Sequence, residues 1–571
     1  VVQGEDPTVT GASRIDGADS SGEVPQPAPP TGRQAAWNYL VFGLSKSSTL
    51  IMTIVAARLL DPADFGLFTL ALLVVNLFDY MKDLGVGAAL VQSPGQWERL
   101  APTGLTLSAG FGVVAGASLA VFAPFGAELV HQPGLTPLIR VLAIGLTISA
   151  FSAIPAARLR RDLDFRQRIW PEFLGSAAKA VLTIALAAAG HGVWSLVYGQ
   201  LVGTVLTTIL YWVVARTRVA FGFDRREARN LIRYGSALTG VALLSFAMFN
   251  MDYLFIGIRR GDEQLGLYTL AYRLPDLLVL ALCNVISEVL FSSLSRLQHA
   301  RERLCEHFLE VMAVTMALSA PISVALATVA PAVIATLYGP EYAGAAPVLV
   351  VLSAYGLLFS VSWHAGDVFK AIGRPSLLLA TGTARLVLMI GPVWWAAGHS
   401  IVMVGLALVA VECVLFMANT VLLQTVGGIT AGQLWKAVGQ PLPAAVGMGV
   451  VMLGLSQLVS GFPAPAVLFV TMVAGLLTYV LGLQISAPAL FDAGLAVVRS
   501  VRGGPAADPA SAAPAPGDGG HTRPLVRVVL TVLVMGGLSP AVAVVNGIRR
   551  SIGRRRGGAR VESASRVGGP R

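Results

Sequence analysis

Apolar residues run along this chain in stretches of about 20, divided by short polar links, from residue 36 to about residue 484. A helix of roughly that length crosses a hydrocarbon core of about 30 Å. The pattern predicts fourteen spans, near 36–58, 65–90, 103–123, 137–157, 171–190, 192–214, 234–258, 265–294, 308–330, 347–370, 376–397, 401–425, 436–459 and 464–484. Several are rich in Gly and Ala, which lets helices approach closely or slide past each other. Residues 1–35 are polar, with many Gly, Pro, Ser and acidic positions, and read as a disordered tail. No basic-then-apolar leader precedes the first span, so that span is expected to act as an uncleaved signal anchor.

A repeat organises the spans. The stretch FGLFTLA at 65–71 returns as LGLYTLA at 265–271, each after a polar link (RLLDPAD, then RRGDEQ) and each opening a long apolar run. Six spans separate the two copies, an even number, so both have the same topology, as in parallel repeats related by an axis along the membrane normal. The expected architecture is an all-α polytopic membrane protein. Two six-helix lobes, 36–222 and 223–428, surround a central cavity, and 429–490 adds two further spans. Residues 491–571 hold an Ala/Pro/Gly linker, a second apolar segment at 528–547, and the cluster Arg549, Arg550, Arg554, Arg555 and Arg556. A fifteenth span at 528–547 puts that cluster outside. An interfacial or re-entrant segment keeps it on anionic lipid and is easier to reconcile with the charge rule, so both remain open.

Composition agrees with the periodicity. The 571 residues are 55% hydrophobic and 13% charged, against about 25% charged in soluble domains. The net charge of +10 does not point to nucleic acid, because the arginines sit in short loops and at the C-terminal end. Arg158, Arg160, Arg161, Arg166 and Arg168 follow span four. Arg216, Arg218, Arg225, Arg226 and Arg229 follow span six. Arg296, Arg301 and Arg303 follow span eight, and Lys370 and Arg374 follow span ten. Even-numbered spans are therefore expected to end in the cytoplasm, where the N-terminus also lies. The three cysteines, Cys283, Cys305 and Cys413, form no CxxC pair, so neither a disulfide framework nor a zinc site is expected.

Ionisable groups inside spans are costly and usually face a cavity or a partner. Span one carries Lys46 among Ser45, Ser48, Thr49 and Thr53, with no acid within a turn. Span two carries Asn76, Asp79, Lys82 and Asp83 on one helical face; these charges either neutralise one another or serve a cavity. Lys179 lies with Ser176 and Thr183 in span five, and Arg273, Asp276, Asn284 and Glu288 form a stripe on span eight. Lys179, Arg273 and Asp276 are close enough to helix ends to snorkel instead. Arg385 stands about ten residues into span eleven, Glu412 in span twelve and Asp252 in span seven. The cations suggest a water-filled cavity suited to an anion; Asp252, Glu288 and Glu412 suit a coupling proton or cation. His364 in span ten reads as a packed polar residue rather than a proton relay.

No phosphate loop is present: GLSKSST at 43–49 has the wrong spacing. Asp162-Leu163-Asp164 is like the paired acids of metal-dependent glycosyltransferases but sits in a short basic loop without a nucleotide-binding domain. No loop is long enough for a catalytic domain. A transporter is expected, with no cofactor or metal. A membrane-embedded polysaccharide polymerase or ligase, the reading from another class, needs a sizeable outward loop.

The stretches GLSKSSTLIMTIVAARLLDPADFGLFTLAL, DYMKDLGVGAALVQ, RNLIRYGSALTG, NMDYLFIGIRRGDEQLGLYTLAYRLPDLL, LYGPEYAGAAPVLVVLS and AIGRPSL, spread over about 36–425, together resemble Wzx-type oligosaccharide flippases, particularly the WzxC-like branch. The resemblance implies membership of the multidrug/oligosaccharidyl-lipid/polysaccharide exporter superfamily, which pairs two six-helix lobes that alternate between inward- and outward-open V shapes. It implies a bacterial plasma-membrane protein that moves undecaprenyl-diphosphate-linked oligosaccharide to the outer leaflet for surface polysaccharide. A polymerase and glycosyltransferases of the same pathway would be its partners. A lipid II flippase or a multidrug antiporter shares that fold. On this reading Lys46, Lys179, Arg273 and Arg385 neutralise the diphosphate, Ser45, Asn76 and Asn284 contact sugars, and Asp79, Asp252, Glu288 or Glu412 carries counter-ions.

Overall fold

The computed structural model of the protein describes residues 48–93, 97–162 and 165–492. Among the described residues there is no β-strand. The helices are α1 (Ser48–Ala57), α2 (Pro62–Met81), α3 (Val86–Gln92), α4 (Trp97–Leu129), α5 (Leu135–Ala150), α6 (Ala153–Arg161), α7 (Phe165–Ala188), α8 (Val193–Ala215), α9 (Arg225–Pro275), α10 (Ala281–Arg296), α11 (Arg301–Thr328), α12 (Ala330–Leu337), α13 (Ala345–Ser362), α14 (Ala365–Ala371), α15 (Pro375–Ala397), α16 (Ile401–Leu422), α17 (Ala431–Gly439), α18 (Leu442–Leu458) and α19 (Ala464–Ser486).

Ten helices or helical runs are long and apolar enough to cross a membrane, and two bent pairs raise the figure to twelve. The chain is thus an all-α polytopic membrane protein, as its periodicity predicts. Each of the fourteen expected spans overlaps described helix. One run of 72 residues, Arg225–Arg296, contains two of them, and α1 is the described part of the first. The polar tail 1–35, the segment 528–547 and the arginines 549–556 lie outside the described residues.

The polar links act as helix starts more than as loops. Pro62 opens α2 from the first turn, where its missing N–H costs nothing. Asp224 caps α9 by accepting hydrogen bonds from the backbone of Arg226 and Glu227 at 2.8 and 3.1 Å. The expected link RRGDEQ is helical apart from Gly261, at φ 82° and ψ −174°, a conformation open mainly to glycine. There α9 folds back on itself: Tyr268 donates a hydrogen bond to Asp252 at 2.6 Å. At the far end of α2, Asp83 caps α3 by accepting from Gly85 and Gly87. This answers half of the question about the span-two charges, because Asp83 is a cap, while Lys82 pairs with Asp79 at 2.7 Å.

Helices α2–α8 pack among themselves, α9–α16 do the same, and α17–α19 lean on α11 and α12. The two groups meet mainly through α9, which packs on α2, α3 and α4. The repeat forms one end of this seam. A methyl group on Gly66 would collide with the carbonyl of Asp262, and one on Gly266 with the carbonyl of Pro62. Thr269 reaches Thr69 at 3.4 Å. Beside them Tyr342 donates to the Leu60 carbonyl at 2.7 Å, and Arg58 bonds the Thr336 and Leu337 carbonyls. The LYGPEY motif therefore docks on the link before α2. Beyond the end of α2 the groups touch again, where Gly85 and Gly235 abut backbone to backbone and Tyr234 bonds Gln92.

Candidate functional site

Between these two contacts, α9 borders two adjoining hollows. The larger, of about 370 Å³, is lined by Phe249, Tyr253, Tyr272, Phe359 and Trp363, with Asn250, Asp276 and Asn284 as its polar groups. The smaller, of about 230 Å³, lies between α2 and α9 and is lined by Asn76, Asp79, Tyr80, Phe246 and Asn250. Asn250 belongs to both.

Local backbone features shape the larger hollow. Pro275 cannot donate a helical hydrogen bond, and directly after it residues Asp276–Leu280 form a π-helical turn. Such bulges turn side chains off the regular helical face, often at functional sites. Opposite, the rings of Phe359 and Trp363 stack at 5.1 Å and 24°. Phe249 approaches Trp363 at 6.1 Å and Phe359 at 6.3 Å. On α9, Asp252 is 3% exposed, and Tyr268 is its side-chain hydrogen-bond donor.

The expected site residues divide among several places. Asn76 and Asp79 line the smaller hollow and Asn284 the larger. Lys179 bonds Gln200 on α8 at 2.6 Å and lies within electrostatic reach of Arg273. Ion pairs among the described residues join Lys82 to Asp79, Arg158 to Asp162, Arg168 to Glu172, His307 to Glu310, His364 and Lys370 to Asp367, and Arg385 to Glu412. Neither Lys179 nor Arg273 takes part in any of them.

Arg385 does. Its guanidinium meets Glu412 at 2.8 Å, with both side chains buried, and lies 5.2 Å from the centroid of the Phe359 ring. The expected diphosphate ligand and the expected ion carrier are thus each other's counter-charge behind the aromatic wall. Glu288 is exposed on α10. None of Lys179, Arg273 and Arg385 lines either of these two hollows. Ser45 and Lys46 lie outside the described residues.

A buried polar cluster escaped the sequence reading. Ser287 donates to Asp367 at 2.6 Å, Lys370 meets the other carboxylate oxygen at 2.7 Å, and His364 Nδ1 stands 3.3 Å from Asp367. His364 is fully buried, packed as expected, and its Nε2 has no partner among the described residues. In the sequence Asp367 sits beside Lys370 and Arg374 at the basic end of span ten, where an acid looks like a loop residue. The spacing of three on either side, His364 to Asp367 to Lys370, was the available signal.

The family model described as polysaccharide biosynthesis protein matches residues 55–347, more than half of the chain. The chain belongs to that family. It is similar to the lipopolysaccharide biosynthesis protein WzxC of Escherichia coli (24% identity, 60% of this chain and 70% of the relative). It is also similar to the teichuronic acid biosynthesis protein TuaB of Bacillus subtilis (27%, 70% and 83%) and to the succinoglycan biosynthesis transport protein ExoT of Rhizobium meliloti (25%, 64% and 74%). The resemblance to Wzx-type flippases read from the sequence therefore stands. The chain is a multi-pass membrane transport protein of polysaccharide biosynthesis, not an enzyme.

Two solved structures share its fold. The lipid II flippase MurJ in an inward closed conformation superposes with a TM-score of 0.64 at 14% identity, over 80% of this chain and 99% of that one. An inward-facing multidrug resistance MATE family transporter of the MOP superfamily gives 0.55 at 17%, over 69% and 100%. At these identities the likeness speaks for fold alone.

Proposed function

We propose that this protein flips polyprenyl-diphosphate-linked oligosaccharide, of the undecaprenyl type, from the inner to the outer leaflet by alternating access of two lobes, 36–222 and 223–428. The observation that carries the reading is two cations in membrane helices, Lys179 on α7 and Arg273 on α9, neither in an ion pair among the described residues, in a chain of the polysaccharide biosynthesis family. Unpaired charge is strongly disfavoured in a membrane interior unless it serves an anion or a water-filled path. A diphosphate is such an anion. Lys46, with Ser45 beside it, adds a third cation from the sequence. Arg385, already neutralised, is assigned to holding α15 against α16.

With the basic loops in the cytoplasm, the Gly66–Gly266 end of the seam faces outward and the Gly85–Gly235 end inward. Opening one end while the other stays shut exposes the head group to one side, and the lipid tail remains in the bilayer. The membrane potential favours outward movement of an anion by about 2.3 kcal/mol per charge per 100 mV. Membership of the polysaccharide biosynthesis family favours this reading over a lipid II flippase or a multidrug antiporter, which share the fold.

Deleting the gene should strip one surface polysaccharide and leave its lipid-linked repeat units on the inner leaflet. In proteoliposomes, Lys179→Ala and Arg273→Ala should each slow flipping about 10- to 100-fold, the usual loss for one hydrogen bond to a charged group. Wild-type rates in both variants would remove these residues from the diphosphate.

Resetting the empty carrier requires a counter-ion, and Asp252 is the acid assigned to carry it, being buried against Tyr268 without a cation partner among the described residues. Asp252→Asn should keep the Tyr268 contact and glycolipid binding. It should abolish the stimulation of flipping by an imposed proton or sodium gradient, an effect of about 10-fold for coupling of ordinary strength. Persistent stimulation in the variant would reassign the role.

A further inference from the structure

The link from α8 to α9 carries side chains that neither packing nor helix stability explains. We propose that residues 216–224, with the first turns of α9, form a docking surface for anionic phospholipid of the leaflet they face. The surface stands independently of the export reading above.

The backbone of the link is held, and its outward side chains are not. Gly222 donates to Thr106 Oγ1 at 3.2 Å, and its carbonyl accepts from that hydroxyl at 2.8 Å. The Asp224 N–H donates to Thr103 Oγ1 at 3.0 Å. A methyl group on Gly222 would stand 2.9 Å from Pro102, so the link rests on the start of α4. Thr217 is buried, and Val219 packs on the cluster that contains Leu100, Leu105 and Leu231. Phe221 and Phe223, on either side of Gly222, are left 66% and 65% exposed. Around them Arg216, Arg218, Arg225, Arg226, Arg229 and Arg233 are all exposed. None of the six is in an ion pair among the described residues. The acids of this stretch are Asp224 and Glu227, and the Asp224 carboxylate is engaged in capping α9.

Helix stability does not call for these arginines. The N-terminal end of a helix carries partial positive charge and disfavours cations, yet Arg225, Arg226 and Arg229 stand in the first turns of α9. Packing does not call for them either. It uses Ala228, Leu231 and Gly235, a different face from Arg225, Arg229 and Arg233, which follow one another at a spacing of four. Orientation in the membrane asks for the charge, but not for two uncovered rings beside it. A soluble anion, a nucleic acid or an acidic protein matches the arginines and leaves the rings in water. Anionic lipid meets both. Helix α8 is long and apolar enough to cross a membrane, and so is the run Arg225–Arg296 that α9 opens, so the link stands at a membrane boundary. There guanidinium groups meet headgroup phosphates, which they bind with paired hydrogen bonds. The phenylalanine rings enter the boundary of the acyl chains, as apolar anchors flanked by cations do.

The test uses the full-length protein in uncharged detergent, titrated with fluorescent phosphatidylglycerol or phosphatidylcholine and followed by anisotropy. Wild type should prefer phosphatidylglycerol, and the preference should shrink in salt of about 0.5 M, which screens exposed charges. Arg225→Gln, Arg229→Gln and Arg233→Gln together should weaken phosphatidylglycerol binding about 100-fold, roughly five-fold for each arginine near an anionic surface. Binding of phosphatidylcholine should stay within about two-fold of wild type. Arg225→Lys, Arg229→Lys and Arg233→Lys, which keep the charge and guard against misfolding, should retain most of the affinity. Phe221→Ala with Phe223→Ala should weaken both lipids about 10-fold, the loss of apolar area from the bilayer, and keep the preference. Equal affinity of wild type for the two lipids, or wild-type affinity for phosphatidylglycerol in the glutamine variant, overturns the surface. Displacement of the lipid by an equal concentration of glycerol phosphate assigns the arginines to soluble phosphate and overturns it too. Tighter binding of a short RNA than of phosphatidylglycerol, or unchanged affinity for both lipids in the phenylalanine variant, does the same.

Discussion

Cells carrying Gly66→Ala or Gly266→Ala in place of the wild-type protein are expected to lose the surface polysaccharide and most of the folded protein. Each new methyl group would be driven into a backbone carbonyl, that of Asp262 or of Pro62. A flexible side chain can swing aside, but a backbone carbonyl moves only if its helix moves. Overpacking of this kind costs about 1–3 kcal/mol even in cores that relax, and here α2 and α9 must separate along the whole seam. The upper end of that range or more is expected, seen as a lower unfolding temperature in detergent and a lower steady-state level. Gly110→Ala on α4 is the matched control, since nothing lies within 4 Å of its added methyl. It should be neutral or slightly stabilising, because Ala favours helix over Gly by about 1 kcal/mol. Normal protein level and unfolding temperature in both seam variants would mean that the helices do not cross as described.

The second large effect lies in the pair Arg385–Glu412. Removing either partner leaves a charge buried without compensation, which costs about 3–5 kcal/mol. Arg385→Ala and Glu412→Ala should therefore each deplete the folded protein, and loss of transport in either is a consequence of that depletion. Replacing both with apolar residues of similar volume, Arg385→Met with Glu412→Leu, should recover most of the stability, since a buried pair gives little net stabilisation over well-packed apolar groups. If the double variant folds but does not flip, the pair also acts in transport. If Arg385→Ala alone folds at the wild-type level, the ion pair described here is wrong.

The apolar runs made most of the fold legible, because a span must satisfy its own backbone and so declares itself by length and composition. The repeat at 65–71 and 265–271 went further, since its two copies touch. Other features were invisible for physical reasons. The fold-back at Gly261 looks like an ordinary polar link, because one residue with positive φ does all the turning. The Arg385–Glu412 contact joins two helices through positions 27 apart, and sequence spacing reports only neighbours on one helix. Asn76, Asp79 and Asn284 are legible as polar groups in apolar runs. The rings of Phe249, Phe359 and Trp363 are not, because in a membrane helix an aromatic residue facing a hollow and one facing lipid have the same sequence signature.

The contact of Gly66 with the start of α9's second half, and of Gly266 with the start of α2, makes that surface self-complementary. A half-length chain would present one patch to a second copy of itself, which is how two-fold dimers are built. Joining two such halves into one gene preserves the fit without reshaping either face. It also binds their later divergence together, since a bulkier residue at the axis in one half is felt by both.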